Sequence, residues 1–127
     1  MKVVWETWKE LPRYWATSLR SAFVGIWMGI TPGGATPASF MSYGLAKKFS
    51  KNGSKFGTGQ IEGIVAPETA AHAAGTAAML PMLALGIPGS APAAVLMAAM
   101  IIHGAQPGPM LMVNQPQFIY DVVGITL

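Results

Sequence analysis

Cysteine is absent from the chain, and charge is scarce: only 10% of its 127 residues are charged. Without cysteine there is neither a disulfide framework nor a thiolate metal site. An ordinary soluble domain carries roughly 25% charged residues, so water is not the solvent this sequence is matched to. The charges are also uneven, with none between Glu68 and Asp121. Apolar stretches beyond about 18 residues read as membrane-embedded rather than as buried core helices. Asp occurs only at Asp121. That leaves no Ser-His-Asp arrangement, and no enzymatic activity is expected. The N-terminal residues lack the basic region, apolar core and cleavage site of a signal peptide. A net charge of +3 does not signal nucleic acid, because the bases flank apolar segments instead of forming a face interleaved with aromatics.

What the chain has in quantity is glycine (15) and proline (10). The two fall together inside apolar sequence at Pro32-Gly33, Pro88-Gly89 and Pro107-Gly108. Proline removes a backbone donor and glycine opens positive φ, so each pair should interrupt a helix and bare N–H and C=O groups. At membrane depth such groups persist only when buried in protein or lining a polar cavity. Small residues dominate the flanks, which in lipid lets helix backbones approach closely. The expected fold class is therefore an all-α membrane protein with discontinuous helices, part of a larger, repeat-built permease. An echo at an offset of 56, residues 32–38 against residues 88–94, agrees with a repeated design.

Residues 1–20 combine Trp5, Trp8, Tyr14 and Trp15 with Lys2, Lys9, Arg13 and Arg20, suited to the headgroup layer. They read as an interfacial amphipathic segment, or as an amphipathic helix packed on a soluble partner. Residues 21–127 read as a partial transmembrane permease domain. Within it, residues 21–46 are uncharged, are broken in the middle by Thr31-Pro32-Gly33-Gly34, and are followed by Lys47, Lys48, Lys51 and Lys55. Bases at both ends prefer the cytoplasm. A re-entrant helical hairpin satisfies both, whereas a single span would not. Residues 49–60 read as a polar, glycine-broken loop at the membrane surface.

Thr36-Pro37 and Ser90-Ala91-Pro92 stand where helices should restart after the first two breaks, with Ser and Thr as caps and Pro in the first turn. A helix N-terminus in the membrane interior offers free N–H groups and about half a positive charge, which attracts a carboxylate. Discontinuous helices of this kind form substrate and ion sites in secondary transporters. The candidate set is Pro32, Gly33, Gly34, Thr36, Pro88, Gly89 and Ser90, with carbonyl ends near Ile30 and Gly86 facing a coupling cation, Na+ or H+. Ordinary kinks that help helices pack are the other reading. Glu68 is either a proton relay or cation ligand or an acid favourable to its helix dipole. His72, four residues on, shares its face. His103 reads as a helix-end residue. No metal site and no cofactor are expected.

In order along the chain stand Gly29-Ile30-Thr31-Pro32-Gly33-Gly34-Ala35-Thr36, Ser39-Phe40 with Tyr43, Phe56-Gly57-Thr58-Gly59, Glu62-Gly63, Ala66-Pro67-Glu68, Leu85-Gly86-Ile87-Pro88-Gly89-Ser90 and His103-Gly104-Ala105-Gln106-Pro107-Gly108-Pro109. This succession resembles the large membrane subunit of the tripartite tricarboxylate transporters, the TctA family. The resemblance adds Ser39 to the candidate set. It implies a multi-pass permease of the bacterial inner membrane, working with a small membrane subunit and a periplasmic solute-binding protein to import tricarboxylates or related carboxylates. It also implies a fragment from the start of the second half of a longer protein. Where the family usually carries paired asparagines after Ala-Pro-Glu, this chain has Ala71-His72, and Pro37 stands where an aliphatic residue is usual. The alternative is a noncatalytic membrane packing or assembly module, inactive as a fragment.

Overall fold

All regular structure among the described residues is helical, as the computed structural model of the chain shows; it describes the backbone of residues 2–31 and 33–126. Pro32 lies outside the described residues, and with it the expectation placed on that position. The elements are α1 (Lys2–Glu10), a 3₁₀ turn (Leu11–Tyr14), α2 (Trp15–Ile30), α3 (Ala35–Phe49), α4 (Glu62–Ala77), α5 (Met79–Leu85), α6 (Ala91–Ile102), α7 (Leu111–Asn114) and α8 (Pro116–Thr126). A second 3₁₀ turn, Gly53–Lys55, lies between α3 and α4. The expected division at residues 20 and 21 falls inside α2.

Among the described residues no helix is long and apolar enough to cross a membrane. The expected transmembrane helices are therefore not found as single elements, and the breaks are the reason. At 1.5 Å per residue, the 16 residues of α2 reach about 24 Å, short of a hydrocarbon core of about 30 Å.

Residues α2 and α3 form an antiparallel helical hairpin. The Ser21 and Ser42 hydroxyls lie 2.7 Å apart, and the Arg20 guanidinium sits 5.4 Å from the centre of the Phe49 ring, pairing residues from opposite arms. The turn follows from local chemistry. Thr31 leaves the helix at φ −79°, ψ 140°, since the ring of a following proline crowds the helical conformation. Its hydroxyl then donates to the Trp27 carbonyl at 3.0 Å, which also accepts the Thr31 N–H at 3.2 Å. Gly34 turns the chain back at φ 76°, a conformation that costs glycine little.

The fourth helix, α4, nests against both arms, parallel to α2 and antiparallel to α3. Its seam with α2 is built from small residues one turn apart: Thr17, Ser21, Gly25 and Gly29 are buried on α2, facing Glu62, Ala66, Ala70 and Ala74 on α4. A Cβ on Gly25 would run into the Ala70 carbonyl and come within 2.7 Å of the Ala73 methyl; one on Gly29 would hit the Ala74 carbonyl and come within 2.8 Å of the Ala77 methyl. The backbones thus pack directly, and dispersion between them replaces large apolar side chains. Ala38, Ser42 and Ala46 bring α3 in at the same spacing. Ser42 also donates to the Ala66 carbonyl at 2.9 Å.

One end of the seam is closed by Glu62, which is 9% exposed. Its carboxyl group accepts from Thr17 Oγ1 at 2.6 Å and from Ser50 Oγ at 2.5 Å, tying α2, α4 and the connecting loop together. Phe56 anchors the same loop, buried against Ala46 and Ala66 with its ring edge-on to Tyr43 at 5.5 Å. The loop is therefore docked.

Two consequences are measurable by unfolding the purified protein in detergent. Gly25→Ala overpacks the seam and should cost about 1–3 kcal/mol. Gly44→Ala, at an exposed helical position where a Cβ meets nothing within 4 Å, should gain up to about 1 kcal/mol. The same chemical change thus has opposite signs. Replacing Glu62 with alanine strands the buried Thr17 hydroxyl and the half-buried Ser50 hydroxyl and should cost about 1.5–3 kcal/mol, with Glu62→Gln, which keeps one acceptor, falling between.

Candidate functional site

At the other end of the seam from Glu62 the first two Pro-Gly breaks meet. A Cβ on Gly89 would lie 3.4 Å from the Gly29 carbonyl oxygen and 3.7 Å from the Ala78 methyl, so the second break rests on the last turn of α2. Between the breaks opens a cleft of about 480 Å³. Residues 33–37 form one wall, residues 89–93 and Leu96 the other, and Ala74, Gly75 and Met79 the floor.

The two walls are both helix starts. α3 begins at Ala35 after Gly34, whose backbone sits at the cap position with no side chain to close it. α6 begins at Ala91 after Ser90, whose Oγ accepts from the Ala93 N–H at 3.3 Å. That leaves the Ser90 hydroxyl proton to donate elsewhere. The first N–H groups of any helix have no intrahelical partner, and each N-terminus adds about half a positive charge. No Lys or Arg lines the cleft, so an anion there would meet only dipoles, N–H groups and hydroxyls.

Of the expected residues, Gly33, Gly34, Thr36, Gly89 and Ser90 line this one cleft. Thr36 was expected to cap α3, but it is the second residue of the helix, because Gly34, at positive φ, takes the cap position two residues earlier. Ser39 points elsewhere: its hydroxyl contacts the carbonyls of Ala35 and Pro67, both at 3.1 Å. Pro88 is half-buried beside the cleft without lining it.

The carbonyl end at Gly86 is engaged by protein. Gly86 has φ 71° and packs against the Pro107 carbonyl. Its N–H donates to Met82 C=O at 3.0 Å, while the Gly108 N–H donates to Leu83 C=O at 3.0 Å. The third break therefore serves to cap α5. At α2 the Thr31 hydroxyl covers the Trp27 and Met28 carbonyls.

Glu68 and His72 do meet, but on the exposed outer face of α4. His72 Nδ1 lies 3.0 Å from the Glu68 carbonyl oxygen and 3.5 Å from its Oε1. Thr76 continues the row, donating to the His72 carbonyl at 3.1 Å. His103 sits past the end of α6 with Nδ1 2.8 Å from the Ala99 carbonyl oxygen. Among the described residues no three His, Asp or Glu side chains come close enough to hold a metal.

Sequence reasoning missed Gly75, Met79 and Leu96 as lining residues. It also missed Glu62 and Phe56 as buried anchors. The four-residue spacing of small residues from Thr17 to Gly29, matched from Glu62 to Ala74, would have paired α2 with α4 and brought the floor of the cleft into view.

The comparisons with known proteins are consistent with this picture. The profile of the tripartite tricarboxylate transporter TctA family matches residues 1–127. An uncharacterized 52.8 kDa protein in the TAR-I ttuC' 3' region of Agrobacterium vitis is 35% identical over 121 residues, 94% of this chain and 24% of that protein. An uncharacterized protein in the TAR-II ttuC' 3' region of the same organism is 40% identical over 100 residues, 78% of this chain and 41% of that protein. The chain thus spans less than half the length of either relative. No solved structure matches it. Across its whole length, the chain belongs to the tripartite tricarboxylate transporter TctA family.

Proposed function

We propose that this chain is part of the membrane permease of a binding-protein-dependent secondary transporter, and that the cleft between the first two Pro-Gly breaks holds the carboxylate in transit. One observation carries the reading: two helix starts, 56 positions apart in sequence, line a single uncharged cleft. Free N–H groups at helix starts receive a carboxylate in water-poor surroundings at no cost of a buried counter-charge. In this reading α2 and α3 enter the bilayer as a re-entrant hairpin, tip inward, with Arg20, Lys47 and Lys48 at its open end on the cytoplasmic side. In the same reading α1 lies in the headgroup layer, supported by exposed Trp5 and Trp8, with exposed Trp15 at the start of α2, and by the Lys9 ammonium 5.5 Å from the Trp5 ring centre. Membership of a tripartite family supports a small membrane subunit and a periplasmic solute-binding protein as partners. A cation gradient, Na+ or H+, supplies the driving force, with Glu68 and His72 facing its path.

The small-residue seam favours a second reading, a packing module with no ligand of its own. The two readings separate in a transport assay. With the partner proteins present, Ser90→Ala and Thr36→Val each remove a donor to a charged ligand, worth about 1.5–3 kcal/mol, and should raise the half-saturating carboxylate concentration about ten- to a hundredfold. Membrane levels of the protein should not change. A packing module predicts unchanged saturation, with any loss confined to protein level.

A further inference from the structure

Gly75 has no structural reason to be glycine. It lies inside α4 and is not among the glycines with positive φ, so no turn requires it. A Cβ there would meet nothing within 4 Å, unlike the Cβ of Gly25 or Gly29, so no helix approach requires it either. A glycine inside a helix nonetheless destabilises it relative to alanine. What distinguishes Gly75 is its place on the floor of the cleft, between the starts of α3 and α6. It also borders the open hollow over Ala71, His72 and Thr76. It is thus the low point of α4 over which the cleft meets the His72 face.

We propose that Gly75 sets the size of the anion the cleft accepts, its missing side chain giving room for the distal end of the ligand to extend across α4 toward His72. This rests on the carboxylate-site reading and adds to it a specificity-determining residue. A side chain at position 75 enters empty space, so it shortens the cleft without disturbing the seam. Small carboxylates, held by the helix starts alone, keep their affinity. Longer ones lose theirs, in proportion to the side chain introduced.

The test compares dissociation constants of succinate and citrate, by calorimetry on the purified transporter, for the unaltered protein, Gly75→Ala and Gly75→Leu. Gly44→Leu serves as a control, since Gly44 is also helical, exposed and free of Cβ contacts but lies outside the cleft. The citrate-to-succinate ratio of dissociation constants should rise a few-fold in Gly75→Ala and at least tenfold in Gly75→Leu, with thermal stability retained and the ratio unchanged in Gly44→Leu. Equal weakening of both ligands, or an unchanged ratio in Gly75→Leu, overturns the proposal. If Ser90→Ala still weakens binding in that case, only the role of Gly75 fails. If it does not, or if the unaltered protein binds neither anion, the carboxylate-site reading fails with it.

Discussion

Direct backbone contact between α2 and α4 is the constraint from which the rest of the arrangement follows. Thr17 meets Glu62 across 45 positions, and Gly25 and Gly29 meet Ala70 and Ala74 at that same separation. Every contact therefore falls one helical turn after the last, on a single stripe of each helix. Such a seam has little apolar area to bury. In lipid, where burial offers little driving force between helices, close packing and interhelical hydrogen bonds do that work. The seam is therefore suited to the low charge of the chain and to its wealth of Gly and Ala. Its polar members are few and paired: among the described residues no buried side-chain N or O atom lacks a hydrogen-bond partner.

The register of the seam determines where the breaks meet. Because α2 and α4 run parallel, the end of α2 at Ile30 stands beside the end of α4, and the chain continuing through α5 brings the second break back onto Gly29. The two breaks are built on a similar plan: a helix ends, four residues intervene in the first and five in the second, and a new helix starts, at Ala35 in one and Ala91 in the other. They differ in closure. Gly34 leaves the start of α3 without a side-chain cap, whereas Ser90 caps α6 while retaining a proton to donate. The third break lies outside this plan, its Gly108 N–H spent on the C-terminal carbonyls of α5. The result is one cleft with two similar walls and a floor of Ala74, Gly75 and Met79.

Much of this was legible in sequence because it depends on local chemistry. Proline expels the residue before it from the helix, so the end of α2 could be read at Thr31. Glycine after proline marked both turns, and Ser90 was recognisable as a cap. The start of α3 was misplaced by two positions, since the cap is Gly34 rather than Thr36 and only the backbone angle decides between them. What could not be read locally was partnership. Glu68 and His72 were grouped with the breaks, because charge inside an apolar stretch suggests a site. The helical phase carries them instead to the exposed face of α4, opposite the seam. Glu62 stood in sequence only as part of a motif, whereas in the fold Thr17 and Ser50, distant in sequence, close around it. Spanning helices were inferred from uncharged length, yet the breaks divide that length into pieces, and among the described residues none is a helix long and apolar enough to cross a membrane alone.

The central claim is that the first two breaks form one ligand site. It is tested most directly by placing single cysteines at Thr36 and at Ser90 in a cysteine-free transporter and following their reaction with a membrane-impermeant thiol reagent. On this account a transported carboxylate slows labelling at both positions with the same concentration dependence, and leaves a cysteine at the exposed Gly44 unaffected. Protection at only one of the two positions, or at neither while transport persists, would contradict it.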